Sequence, residues 1–141
     1  MGQQRIDVTQ EFAAPVSRVF AHLSEHENLE AVFAPAKIKR IKNGLNARNG
    51  VGSVRELRIL IGPPFQETVT GFKDNELIEY RVTQGSPLKN HLGVMRFSPT
   101  AQGGTRLDYT ITFEGKFPLV AEVIRPPLES AIRRGLRKLK V

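Results

Sequence analysis

Residues 53–83 read SVRELRILIGPPFQETVTGFKDNELIEYRVT. Apolar and polar side chains alternate through the stretch, the period of a β-strand with one buried face. The pattern predicts strands over Ser53–Ile61, Phe65–Phe72 and Leu77–Thr83. Gly62-Pro63-Pro64 and Lys73-Asp74-Asn75 supply the turns between them, and links this short join antiparallel neighbours rather than crossovers. The inward phase carries Leu57, Ile59, Phe65, Val69, Ile78 and Val82, but also Arg55, Glu67 and Tyr80. A dry core does not choose an arginine and a glutamate, because buried charge is costly. The pattern therefore predicts a hollow, partly wet interior that holds a small molecule.

The pattern continues on both sides. Gly85-Ser86-Pro87 leads into a strand over His91–Ser98, and Gln102-Gly103-Gly104 into one over Thr105–Gly115. The last strand adds Leu107, Tyr109 and Ile111 to the inward face; His91 joins them if its phase holds. Upstream, residues 4–12 alternate, and Ala13-Ala14-Pro15 ends that strand. Val16, Val19, Phe20 and Leu23 follow at helical spacing. Leu29, Val32 and Phe33 predict a second helical turn ended by Pro35, and Ile38 and Ile41 a basic strand ending near Asn43-Gly44. After Phe117, Val120, Val123 and Ile124, an apolar stripe runs through Leu128, Ala131, Ile132, Gly135, Leu136 and Leu139. Pro126-Pro127 interrupts it, so a short leading turn and a main helix starting at the prolines are expected. The expected architecture is α+β: a curved antiparallel sheet of about seven strands gripping a long C-terminal helix, with two short helices after the first strand.

Composition fits one domain spanning residues 1–141, with 40% hydrophobic and 25% charged residues. No apolar run reaches the roughly 20 residues of a membrane span, and the first residues lack the apolar stretch of a secretory signal. A cytoplasmic protein without integral membrane association is expected. The absence of cysteine removes disulfides and thiolate metal sites. Net charge is +7, concentrated at Lys37, Lys39, Arg40, Lys42 and Arg48 and at Arg133, Arg134, Arg137, Lys138 and Lys140. No zinc-finger spacing, aromatic RNA-binding strand or helix-turn-helix accompanies that charge, so no nucleic-acid partner is expected. Solvated basic surface is the simpler reading, with docking on an anionic membrane as a further class to test.

Several segments resemble one superfamily over essentially the whole chain. Phe12-Ala13-Ala14-Pro15-Val16-Ser17-Arg18-Val19-Phe20 resembles its opening strand-to-helix signature, and Gly50-Val51-Gly52-Ser53-Val54-Arg55 its G-x-G-x-x-R lead into a strand. Glu67-Thr68-Val69, Tyr80-Arg81-Val82 and Gly103-Gly104-Thr105-Arg106-Leu107 resemble later strands and the final turn. The chain thus resembles the START-like (SRPBCC) superfamily, helix-grip fold, of the polyketide cyclase/dehydrase type. That resemblance implies a cavity between sheet and C-terminal helix. Its members range from lipid carriers, hormone receptors and plant allergens to polyketide cyclases and dehydratases, so the fold implies no single activity.

The residues expected around a ligand are Arg55, Leu57, Glu67, Val69, Tyr80, Val82, His91, Tyr109, Phe117 and Val120. Arg55 and Glu67, on consecutive strands, admit two roles. Arg55 holds an anionic or carbonyl group while Glu67 orients it or accepts a hydroxyl proton, or the two form a structural pair without ligand. Tyr80 and Tyr109 serve equally as cavity hydroxyls or as packed core. Phe33, Phe65 and Gln66 are candidate rim residues. His22 and His26, beside Glu25 and Glu27, are read as helix surface rather than a metal cluster, and neither a metal nor a cofactor is expected. Gly50-Val51-Gly52-Ser53-Val54 is neither a nucleophile elbow nor a dinucleotide fingerprint. The leading expectation is binding or carriage of a hydrophobic or amphipathic small molecule by a monomer or homodimer. The alternative is a cyclase or dehydratase acting on a polyketide-like or aromatic substrate, with Glu67, Tyr80 or Tyr109 as acid or base.

Overall fold

A computed structural model describes residues 2–59 and 63–141. Strand β1 (Gln4–Phe12) is followed by α1 (Val16–Ser24) and a 3-10 helix (His26–Ala31). Six strands come next: β2 (Lys37–Lys42), β3 (Val54–Arg58), β4 (Phe65–Lys73), β5 (Leu77–Gln84), β6 (Leu88–Pro99) and β7 (Thr105–Gly115). The chain closes with α2 (Val120–Lys138). The seven strands form one antiparallel sheet in the order β1-β7-β6-β5-β4-β3-β2. Every link from β2 to β7 is thus a hairpin between neighbours, as the turn chemistry predicted. With α2 against it, this is the expected helix-grip architecture.

Helix α2 rests on the β1 and β7 side of the sheet. Its Ala121, Ile132 and Leu136 are buried there, each larger side chain contributing about 1.5–3 kcal/mol through apolar burial. Gly135 permits the close approach of α2 to the 3-10 helix, since a Cβ there would strike backbone atoms of Ala31 and Val32. Ile124 and Leu128 are only half-buried. They roof the half of the sheet built from β3 to β6, and this offset leaves space beneath the helix.

Three local expectations are corrected. Pro126 and Pro127 lie inside α2, which runs unbroken for 19 residues. An interior proline costs about 3 kcal/mol, but both rings sit on the exposed face, and proline's fixed φ is itself helical. The apolar stripe Ala121, Ile124, Leu128, Ile132 and Leu136 spans the prolines, and its packing offsets the lost hydrogen bonds. Strand β6 begins at Leu88 rather than His91, because a register shift between Lys89 and Leu92 absorbs the extra residue. Strand β3 ends at Arg58, so Ile59 lies beyond it; Leu60 and Ile61, also expected in the strand, and the turn residue Gly62 lie outside the described residues.

Candidate functional site

Beneath α2 lies a cavity of about 620 Å³. Leu57 of β3, Phe65 of β4, Val82 of β5, Ile111 of β7 and Ile124 and Leu128 of α2 give it a largely apolar wall. Glu67, Tyr80 and His91 are its buried polar residues, together with Ser86. The exposed Ile59, Pro63, Lys116 and Phe117 surround its mouth. Six of the ten residues expected around a ligand therefore stand on this wall: Leu57, Glu67, Tyr80, Val82, His91 and Phe117. Arg55, Val69 and Tyr109 are buried in the core behind it, and Val120 opens α2 beside Gly115. Of the candidate rim residues, Phe33 and Phe65 line the cavity.

The polar residues form one buried network. The pairing of β3 with β4 sets Arg55 directly opposite Glu67. Arg55 Nε donates to Glu67 Oε1 at 2.8 Å, and Nη2 makes an ion pair with the same oxygen at 2.8 Å. Arg55 Nη1 donates to His26 Nδ1 at 3.1 Å, since a guanidinium has no acceptor to offer. His26 consequently carries its proton on Nε2 and donates it to Ser53 Oγ at 3.0 Å. The Tyr80 ring covers the guanidinium, its centroid 4.6 Å from Arg55 Cζ. The Tyr80 and Tyr109 hydroxyls hydrogen-bond to each other, and burial raises the pKa of both, so they stay neutral. Arg55 is thus occupied on its edge by Glu67 and His26 and on its face by Tyr80. Among the described residues no donor reaches Glu67 Oε2, on a side chain that lines the cavity.

His91 reaches the wall through the irregularity in β6. Leu88 and His91 both line the cavity although three positions apart, because the bulge between Lys89 and Leu92 inserts an extra residue. Its Nδ1 accepts the Val82 N–H at 3.0 Å, which leaves Nε2–H as its donor. Burial holds the ring below the usual histidine range, so it is neutral at pH 7.

His26 corrects the expectation of a surface helix residue, being fully buried. A signal for it existed: it continues the spacing Val19, Leu23, His26 along the apolar side of α1. His22 and Glu25 make no hydrogen bond with it. Glu25 instead binds Arg48, Asn49 and Arg40, which draw its pKa down to about 2, the Arg48 hydrogen bond contributing most. Part of the first basic cluster is thereby neutralised, and Arg133 of the second is held by Glu129. Ser86, whose Oγ accepts the Leu88 N–H at 3.1 Å, was legible only as a turn residue.

The buried histidines make stability depend on pH. Burial first, then the Arg55 charge, lower the His26 pKa to about 3 from an ordinary 6.5. The unfolded chain therefore binds more protons than the folded one between these values. Stability is complete above about pH 6.5 and falls as pH drops toward 3. His91 acts in the same direction. His26 contributes a slope approaching about 1.4 kcal/mol per pH unit within that window. Urea denaturation between pH 7 and 5 should show this loss, and His26→Gln should reduce the slope. A slope unchanged in that variant would contradict His26's assignment.

The chain belongs to the polyketide cyclase / dehydrase and lipid transport family, whose model matches residues 3–141. No curated protein matches it in sequence. Among solved structures it is similar to the Zhui aromatase/cyclase from Streptomyces sp. R1128, with a TM-score of 0.73 and 17% identity over 96% of this chain and 92% of that one. A protein of Nitrosospira multiformis gives a TM-score of 0.72 at 16% identity, covering 97% of both chains. Norcoclaurine synthase from Thalictrum flavum, in complex with dopamine and hydroxybenzaldehyde, gives 0.71 at 16% identity over 97% of this chain and 86% of that one. At these identities the likeness is one of fold. No helix among the described residues is long and apolar enough to cross a membrane.

Proposed function

We propose that this protein binds a hydrophobic or amphipathic small molecule in the cavity under α2. The observation that carries the reading is the cavity itself: about 620 Å³ with a largely apolar wall and the buried polar side chains of Glu67, Tyr80, Ser86 and His91. Ligand sites of this volume bury most of a small molecule and fix its orientation through a few polar groups. The family description, which includes lipid transport, agrees with this reading. In it, Glu67, His91 and Tyr80 orient the ligand, Leu57, Val82 and Leu128 hold its apolar body, and Phe117 stands at the mouth. Arg55 acts through Glu67 as a positioning residue, in place of the direct contact expected from sequence.

A second reading rests on Glu67 Oε2. A carboxylate oxygen without a protein donor on a cavity wall is suited to take a proton from a bound substrate, as a cyclase or dehydratase requires. Turnover separates the two: an enzyme converts the ligand and Glu67→Gln abolishes that conversion while binding persists, whereas a carrier converts nothing in either form and Glu67→Gln alters only its selectivity.

The test is the fluorescence of an uncharged apolar dye, Nile red, competed by fatty acids, quinones, flavonoids and aromatic polyketides. A saturable signal displaced by one of these classes is expected. Val82→Trp, which puts a large side chain on the half-buried wall, should lower dye affinity at least tenfold while the protein stays folded. Binding unchanged by that variant would place the dye elsewhere and overturn the reading.

A further inference from the structure

The buried end of the cavity combines one acceptor and one donor. Glu67 pairs in register with Val82, whose N–H is taken by His91 Nδ1. Glu67 on β4 and His91 on β6 therefore flank the same position of β5, and both line the cavity. The charge there is balanced, since Arg55 lies 2.8 Å from Glu67 Oε1 and His91 is neutral. We propose that this end receives a neutral hydroxyl group, an alcohol or phenol, which donates to Glu67 Oε2 and accepts from His91 Nε2–H. The inference rests on the cavity's being a ligand site and specifies the chemistry of the ligand's inner end.

Each competing head group fails on a named residue. A carboxylate would bring a second negative charge against Glu67, while the guanidinium that would attract it is paired with Glu67, covered by Tyr80 and set behind the wall, its buried Nη2 included. An ammonium would gain Glu67 but lie close to the buried Arg55 charge, with the His91 N–H facing it as a further donor. An ether or hydrocarbon would leave Glu67 Oε2 desolvated without a partner, the situation that gives hydrogen-bonding sites their strongest discrimination. Only a group that both donates and accepts matches the pair.

The experiment is calorimetric titration of the full chain at pH 7 with 2-naphthol, 2-naphthoate, 2-naphthylmethylammonium and 2-methoxynaphthalene, which share one apolar body. The expected result is 2-naphthol binding at least tenfold more tightly than the other three. In Glu67→Gln, checked for a native spectrum, the preference over 2-naphthoate should collapse, because an amide N–H then faces the cavity. The wild-type ranking alone decides the matter if that variant does not fold. Equal or tighter binding of 2-naphthoate, the ammonium or the ether overturns the hydroxyl assignment while leaving the cavity a ligand site. Failure of all four to bind also overturns it. The underlying reading falls separately, if the broader panel leaves Nile red undisplaced or Val82→Trp leaves its binding unchanged.

Discussion

Arg55→Ala is expected to lower the free energy of unfolding by about 3–5 kcal/mol, because it leaves the Glu67 carboxylate buried without its counter-charge. The two side chains are 3% and 7% exposed, so solvent cannot replace the missing guanidinium. The loss extends beyond the pair. His26 Nδ1 would lose its donor and the Tyr80 ring the cation beneath it. Arg55→Met combined with Glu67→Leu should recover most of the stability, since apolar replacement of a buried ion pair is often neutral. Recovery should stop about 1 kcal/mol short of the wild type, because the His26 hydrogen bond is still missing. Urea denaturation of the wild type, Arg55→Met, Glu67→Leu and the double variant gives the cycle. A single Arg55→Ala variant within about 1 kcal/mol of the wild type would mean that the pair is hydrated rather than buried.

Gly93→Ala is the second large effect. Gly93 pairs with Tyr80 on β5 and with Ile111 on β7, in the middle of the sheet. A Cβ at Gly93 would fall on the Tyr80 ring and hydroxyl. Tyr80 is held between this glycine, the Arg55 guanidinium and the Tyr109 hydroxyl, and is 1% exposed. It has nowhere to retreat except toward the cavity. Overpacking of this kind costs about 1–3 kcal/mol, and breaking the Tyr80–Tyr109 hydrogen bond adds about 1 kcal/mol. The variant should also bind Nile red at least tenfold more weakly, because the displaced ring takes up ligand space. Wild-type stability and dye affinity in Gly93→Ala would show that Tyr80 is not wedged there.

Much of this was legible because strand periodicity is strict. Arg55, Glu67, Tyr80 and Tyr109 fall on the inward phase by count alone, and all four are buried. Periodicity reports the face of a strand but not what a side chain meets across it. Arg55 read equally well as a ligand contact or as half of a pair; pairing, the His26 ring and the Tyr80 face decide between these only in three dimensions. His91 was ambiguous because the β6 bulge breaks the count that phase depends on. His26 was obscured by its neighbours, since His22, Glu25 and Glu27 suggested a polar surface where one residue turns inward. The prolines misled for a different reason. Local preference argued for a break, and the apolar stripe packed across them prevailed.

The most direct test of the central claim is an amide and methyl NMR titration of the protein with 2-naphthol, mapped residue by residue. The account predicts saturable shifts at Leu57, Glu67, Val82, His91 and Leu128, all on the cavity wall, and none on the exposed basic positions Arg134 and Arg137 of α2. A folded spectrum with shifts confined to the basic surface, or with none at all, would contradict the hydroxyl assignment, and the same outcome with Nile red would contradict the ligand site itself.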